Sequence, residues 1–344
     1  MHFPLKGRKA LRFLAVVVLV ASSYSSAQTA QFATAVTPLP NEDIASDCHY
    51  ELAIPVPNHP VRGVWVIFDR GQDVHDLFSD AKVQAFAQRY RLALLLHGHC
   101  PGKAPEDHED MNMEPSKGLG RALFTALDQF AHDTGHGELA KAKLIFLGFS
   151  GAGCLSARLA ASVPEKTIAA ILSAPGHYDP LGIDTVDLKA PALAIPEFIL
   201  AGGADTVSGT TRPYQYFQKY TERGAPWIFV AQNKSPHCCT ANARDFMLHW
   251  LEAVIQQRLA ASSDDPLREM NQSNGWQAFL KTVDTKTKDS FGLRTLNVVD
   301  AKVEKSKRRV PKSMIAAGWL PNRTLAREWR SFVQQPQHPI LPLH

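Results

Sequence analysis

Three residues stand in contexts that fit a nucleophile, an orienting acid and a base. Ser150 lies in Gly148-Phe149-Ser150-Gly151-Ala152-Gly153, between an apolar run at 142–147 and a helix-like segment at 155–162. A serine at a strand end, in a glycine-rich turn that opens a helix, is the setting of a nucleophile elbow. The turn is tight, so the flanking residues must be small and the hydroxyl stands clear of the strand. The backbone N–H of Gly151 then faces a developing oxyanion at the helix start. The usual pattern closes on glycine. Here Ala152 takes that place with Gly153 one further on, and alanine is small enough for the turn. Such turns also bind phosphate, but no Gly-Lys-Ser/Thr follows, and no G-x-G-x-x-G occurs early in the chain.

A serine needs a base, and a base histidine needs an orienting acid. Asp205 ends Ala201-Gly202-Gly203-Ala204-Asp205, directly after the apolar run 197–200. His237 closes the loop that follows the apolar run 227–230. Singly, the three could be a helix cap, a turn aspartate and a surface histidine. In the order Ser, Asp, His, each at a strand end, they point to an acyl-transfer triad.

The elements that must hold these residues alternate along the chain. Strands are predicted at 63–68, 92–96, 142–147, 168–172, 197–200 and 227–230, and helices at 80–90, 119–132, 155–162, 214–220 and 241–257. That alternation implies an α/β fold with a mostly parallel sheet covered by helices on both faces. Residues 28–47 read as a loose lead-in and 48–258 as the main domain. Residues 259–344 read as a C-terminal appendage, with an extended stretch at 293–303 and a helix at 325–333. Trp276, Trp319 and Trp329 in it predict packing on the main domain rather than a free tail. The cluster Lys305, Lys307, Arg308 and Arg309 reads as a solvated turn.

The chain has 344 residues, 45% apolar and 20% charged, with a net charge of +4. This is an ordinary globular composition, which excludes a disordered tail protein or a disulfide-dense miniature. Lys6, Arg8, Lys9 and Arg12 are the only charged side chains before Glu42. Without them 33 basic residues face 33 acidic ones. The positive charge therefore sits in the leader and gives no reason to expect nucleic acid as a partner. Residues 1–27 read as a signal peptide: basic residues, an apolar run at 13–21, then Ser25 and Ala27 before a cut at Gln28. The run is short for a bilayer span, and the alternative is an uncleaved anchor. Secretion or a periplasmic location is expected, with no membrane attachment after cleavage. Five cysteines, Cys48, Cys100, Cys154, Cys238 and Cys239, leave at least one outside any intrachain pair. The loop 97–117, with His97, His99, Asp107, His108, Glu109 and Asp110, matches no common metal spacing, so no metal is expected there.

On Gly148–Gly153, Gly202-Gly203-Ala204-Asp205 and His237, the chain resembles the α/β-hydrolase superfamily over residues 48–258. Within it the chain looks most like secreted esterases of the polyhydroxybutyrate depolymerase, feruloyl esterase and dienelactone hydrolase type. The resemblance implies an eight-stranded, mostly parallel sheet, a Ser150–Asp205–His237 triad, no cofactor, and a small-molecule or polymer ester as substrate. Such families carry a second oxyanion donor after the third strand, often in a His-Gly loop. His97-Gly98 has that dipeptide. Only Arg70-Gly71-Gln72, however, leaves a helix, a strand and a helix before Ser150, so the donor is assigned to the Gln72 N–H, with Arg70 in place of the usual histidine. Fungal tannases and feruloyl esterases link a cysteine near the nucleophile to one near the histidine. That implies Cys154 bridged to Cys238 or Cys239, against the plainer reading of Cys154 as a small buried apolar residue. The alternatives in function are a serine peptidase with the same triad, a binding protein that keeps the fold without catalysis, or a metal-dependent hydrolase.

Overall fold

The computed structural model describes residues 29–103, 114–176, 188–260, 265–305 and 312–337. The expected signal peptide, residues 104–113 of the 97–117 loop and the basic residues Lys307, Arg308 and Arg309 lie outside them.

Six strands form the parallel centre: β3 (Gly63–Phe68), β4 (Leu92–His97), β5 (Leu144–Phe149), β6 (Thr167–Ser173), β7 (Glu197–Gly202) and β8 (Ile228–Gln232). Every residue in them is buried. That is why they read as continuous apolar runs rather than alternations. Their spatial order is β4-β3-β5-β6-β7-β8. The chain steps one way from β3 to β4 and the other way from β5 to β6. Right-handed crossovers then put the linking helices on opposite faces. Helices α1 (Gln72–Ser79) and α2 (Ala81–Tyr90) share a face with α6 (Arg244–Arg258), where Tyr90 Oη donates to Glu252 at 2.5 Å and Lys82 pairs with Asp245 at 2.6 Å. Helices α3 (Leu119–Thr134) and α4 (Gly151–Ser162) follow the opposite crossover direction, and α5 (Thr211–Thr221) links β7 to β8. The reversal between β3 and β5 makes a topological switch point at the carboxyl ends of those two strands, the place where open α/β sheets bind ligands.

The sheet is larger than expected. It has eleven strands, not eight, and its edges are antiparallel. On one side β2 (Cys48–Ile54) pairs antiparallel with β4, and β1 (Ala30–Val36) with β2. Residues 30–36, expected to be loose, thus form an edge strand. Its small residues alternate between half-buried and exposed, a pattern too weak to stand out in the sequence.

On the other side the C-terminal residues continue the sheet. Strand β11 (Ile315–Leu320) runs antiparallel to β8, followed by β9 (Trp276–Lys288) and β10 (Arg294–Lys305). Trp319 N donates to Trp227 O at 2.9 Å across the junction. Helix α7 (Arg323–Gln334) lies on these strands. It is capped by Asn322, whose side chain accepts from Leu325 N, and anchored by fully buried Trp329, whose Nε1 donates to Phe229 O at 3.0 Å. Trp319 and Trp329 are buried and Trp276 is partly so, and the strands here belong to one continuous sheet rather than a separate appendage.

Candidate active site

Strand β5 delivers Ser150 in a conformation that L-residues seldom adopt, φ 55° and ψ −124°. Such strain persists where the surroundings over-determine it, and it clusters at functional sites. Here the determinants can be named. Ser150 N donates to Ser173 O on β6 at 2.8 Å. A Cβ at Gly148 would fall 2.0 Å from Ala152 O, so only glycine lets the helix fold back on its strand. At Gly153 a Cβ would meet Pro175 and the Gly148 carbonyl at 3.1 and 3.2 Å. Ser150 occupies the N-cap of α4, yet its side chain caps none of the helix N–H groups. A helix-capping role therefore does not account for it.

Asp205 follows β7 and is completely buried. One carboxylate oxygen accepts from Val207 N at 2.8 Å and from Ser208 N at 3.0 Å. The other lies 2.8 Å from His237 Nδ1. Three donors on one carboxylate compensate its desolvation. The loops that carry the pair are stitched together by backbone: Gly203 N donates to Gln232 O and Ala204 N to Ser235 O, both at 2.8 Å. Gly202 is required there, because a Cβ would lie 2.6 Å from Pro236 O. His237 also packs against Phe149, the residue before the serine, with ring centroids 4.7 Å apart. The acid, the histidine and the serine turn thus meet at one edge of the sheet.

Gly151 is the first residue of α4 and Gln72 the first of α1, each a helix position whose N–H has no intrahelical acceptor. Since β3 and β5 are adjacent and parallel, with Ile67 beside Leu147, the two helix starts emerge side by side from the same edge. The loop before Gln72 is pinned by Asp69 N on His97 O at 2.9 Å and by Asp69 paired with His75 at 3.0 Å. That pairing raises the His75 pKa above the ordinary histidine value. His97 itself ends β4, buried against the rings of Tyr50 and Phe68 at 5.0 and 5.1 Å. Burial pushes its pKa down to about 4. Neither of its ring nitrogens has a partner among the described residues.

The cysteines pair otherwise than the resemblance implied. Cys238 is bonded to its neighbour Cys239, and Cys48 to Cys100, so Cys154, buried on α4, is in neither disulfide. Sequence spacing cannot separate these pairings, because they depend on which loops the sheet order brings together. The first disulfide ties β2 to the loop after β4. The second follows the histidine directly, and Cys239, with φ 77°, immediately precedes the short turn Thr240–Ala243. Sequence reading gave no hint of a vicinal pair there.

The parallel centre, its antiparallel edges and the covering helices make a mixed α/β fold, with the serine turn and the acid–histidine pair at the ends of its central strands. No family model matches the chain, and no curated protein matches it. Solved structures similar to it are distant. The fluorophosphonate-binding serine hydrolase F of Staphylococcus aureus is 12% identical, with 65% of this chain and 98% of that one covered and a TM-score of 0.44. The poly(3-hydroxybutyrate) depolymerase LpqC of Bordetella parapertussis is 17% identical, over 69% and 93%, at 0.43. The esterase of the archaeon Pyrobaculum calidifontis is 13% identical, over 67% and 87%, at 0.45. No helix among the described residues is long and apolar enough to cross a membrane.

Proposed function

We propose that the protein is a secreted or periplasmic serine hydrolase that cleaves carboxylic esters through an acyl-enzyme on Ser150. The observation that carries this reading is the 2.8 Å bond between Asp205 and His237 Nδ1, held beside a strained serine turn. With Nδ1 committed to the carboxylate, the tautomer leaves Nε2 unprotonated to act as base. His237 takes the hydroxyl proton as Ser150 Oγ bonds to the ester carbonyl carbon. Asp205 fixes the ring and stabilises the imidazolium. The oxyanion is held by the N–H groups of Gly151 and Gln72; one such donor is typically worth about 3–4 kcal/mol in the transition state. His237 then returns the proton to the departing alcohol. A water, activated by the same imidazole, releases the acid and regenerates Ser150.

Every step draws on side chains and backbone of this chain alone, with no cofactor. The substrate class is a small-molecule or polymer ester. Export with cleavage near Ala27 accords with the Cys48–Cys100 disulfide, since such bonds persist in oxidising compartments. The test is hydrolysis of short-chain p-nitrophenyl esters by residues 28–344. Ser150→Ala should abolish turnover while the far-ultraviolet circular dichroism stays unchanged. Turnover retained by that variant overturns the assignment.

A further inference from the structure

The turn that shapes the carboxylate of Asp205 is held from outside the central sheet. Residues 205–210 have no regular structure of their own, so what packs on them sets their form. The contact comes from the tip of the C-terminal hairpin, between β9 and β10. Ser290 Oγ donates to Val207 O at 2.5 Å. Leu296 N donates to Thr210 Oγ1 at 3.4 Å, and Thr211 Oγ1 donates to Arg294 O at 2.7 Å. The Arg212 guanidinium lies 3.9 Å over the Phe291 ring. At Gly209, φ +73°, a Cβ would fall 2.0 Å from Asp289 Oδ2, so the tip sits directly on the loop backbone.

One peptide group joins the two sites. The carbonyl of Val207 and the N–H of Ser208 belong to the same planar unit, facing opposite ways. Ser290 binds the carbonyl, and the N–H donates to Asp205 at 3.0 Å. Fixing one end of that plane aims the other. A hydrogen bond to the carbonyl also polarises the amide and strengthens what its N–H gives. The tip is stiff enough to do this. Asp289 Oδ1 accepts from Phe291 N and Leu293 N at 3.0 and 2.9 Å, and Asp289 N donates to Leu293 O at 2.8 Å.

We infer that Ser290 is a positioning residue for the reaction. It acts through the Val207–Ser208 peptide to hold Asp205 in line with His237, which makes the C-terminal hairpin a working part of the active site. This inference rests on the triad reading above. The experiment uses the full chain, wild type, Ser290→Ala, Ser290→Thr, Asp205→Asn and the double variant, with short-chain p-nitrophenyl esters as substrate. Ser290 is exposed, so its alanine variant keeps the fold.

Losing one such bond should lower kcat about fivefold with KM within about twofold. Ser290→Thr should restore kcat. In the Asp205→Asn background Ser290→Ala should cost nothing further, because its route runs through Asp205. Wild-type kcat in Ser290→Ala, a loss that multiplies with that of Asp205→Asn, or no rescue by threonine overturns the inference while leaving the triad intact. A wild-type enzyme that neither turns over nor reacts with a fluorophosphonate at Ser150 overturns both.

Discussion

Asp205 spends both carboxylate oxygens, one on two backbone N–H groups and one on His237. An amide in its place keeps the shape but offers the imidazole the wrong hydrogen-bonding partner. Asp205→Asn should therefore lower kcat by about three to four powers of ten with the fold intact, read by ester hydrolysis and thermal melting. A loss below tenfold contradicts the role given to the acid. His97 supplies a second test, on stability rather than turnover. Its folded pKa of about 4 lies below the unfolded value of about 6.5. Between those values the unfolded chain binds more protons, so the contribution is present above pH 6.5 and fades as pH falls toward 4. His97→Phe, whose ring would lie edge-on to Tyr50 and tilted against Phe68, should remove about 3 kcal/mol of that acid sensitivity, measured by urea unfolding at pH 7 and pH 4. Unchanged acid sensitivity would mean that the ring is not buried neutral. At this scale the candidate site residues were legible, because Ser150 and Asp205 sit where an apolar run gives way to small residues and His237 closes the loop after the next run. His97 was not, since a histidine ending an apolar run reads equally as loop.

Among the elements, β3 to β8 announce themselves because burial on both faces makes them uniformly apolar. The edge strands do not. β1 is half-exposed, and β9 and β10 carry charged and threonine residues along most of their length. Helix α7 is the clearest C-terminal element: Asn322 caps it, and Leu325, Trp329 and Val333 form its buried face. Its anchor reaches across the junction to β8 through Trp329 Nε1 and the Phe229 carbonyl. Trp329→Ala leaves a large cavity and an unpaired carbonyl there, and should cost about 3–5 kcal/mol in denaturant unfolding. A cost under 1 kcal/mol would show that α7 is not part of the cooperative unit. The cysteine pairing was illegible for a different reason. Cys48 and Cys100 are 52 residues apart, and only the antiparallel docking of β2 on β4 brings them together.

Across the whole molecule the candidate site sits where the sheet reverses direction, between β3 and β5, with Asp205 and His237 following β7 and β8 further along the same edge. The placing of Ser150, Asp205 and His237 after successive strands followed from the order of elements in the sequence; the spatial order of the strands did not. What did not follow is that β8 is an interior strand. The residues after 260 cover its outer edge with β11 and brace the acid loop with the β9–β10 tip. A chain ending at Ala260 should expose that edge and the buried aromatics beneath α7, and should accumulate as insoluble protein. A soluble, cooperatively melting and active fragment would contradict the continuous sheet.

The most direct measurement is covalent. Residues 28–344 are treated with a fluorophosphonate and the modified residue is mapped by mass spectrometry, in the wild type and in His237→Ala. Stoichiometric labelling at Ser150, lost in the histidine variant, is the expected result. A folded wild type that takes no label, or takes it elsewhere, would mean that Ser150, Asp205 and His237 do not work as one catalytic group.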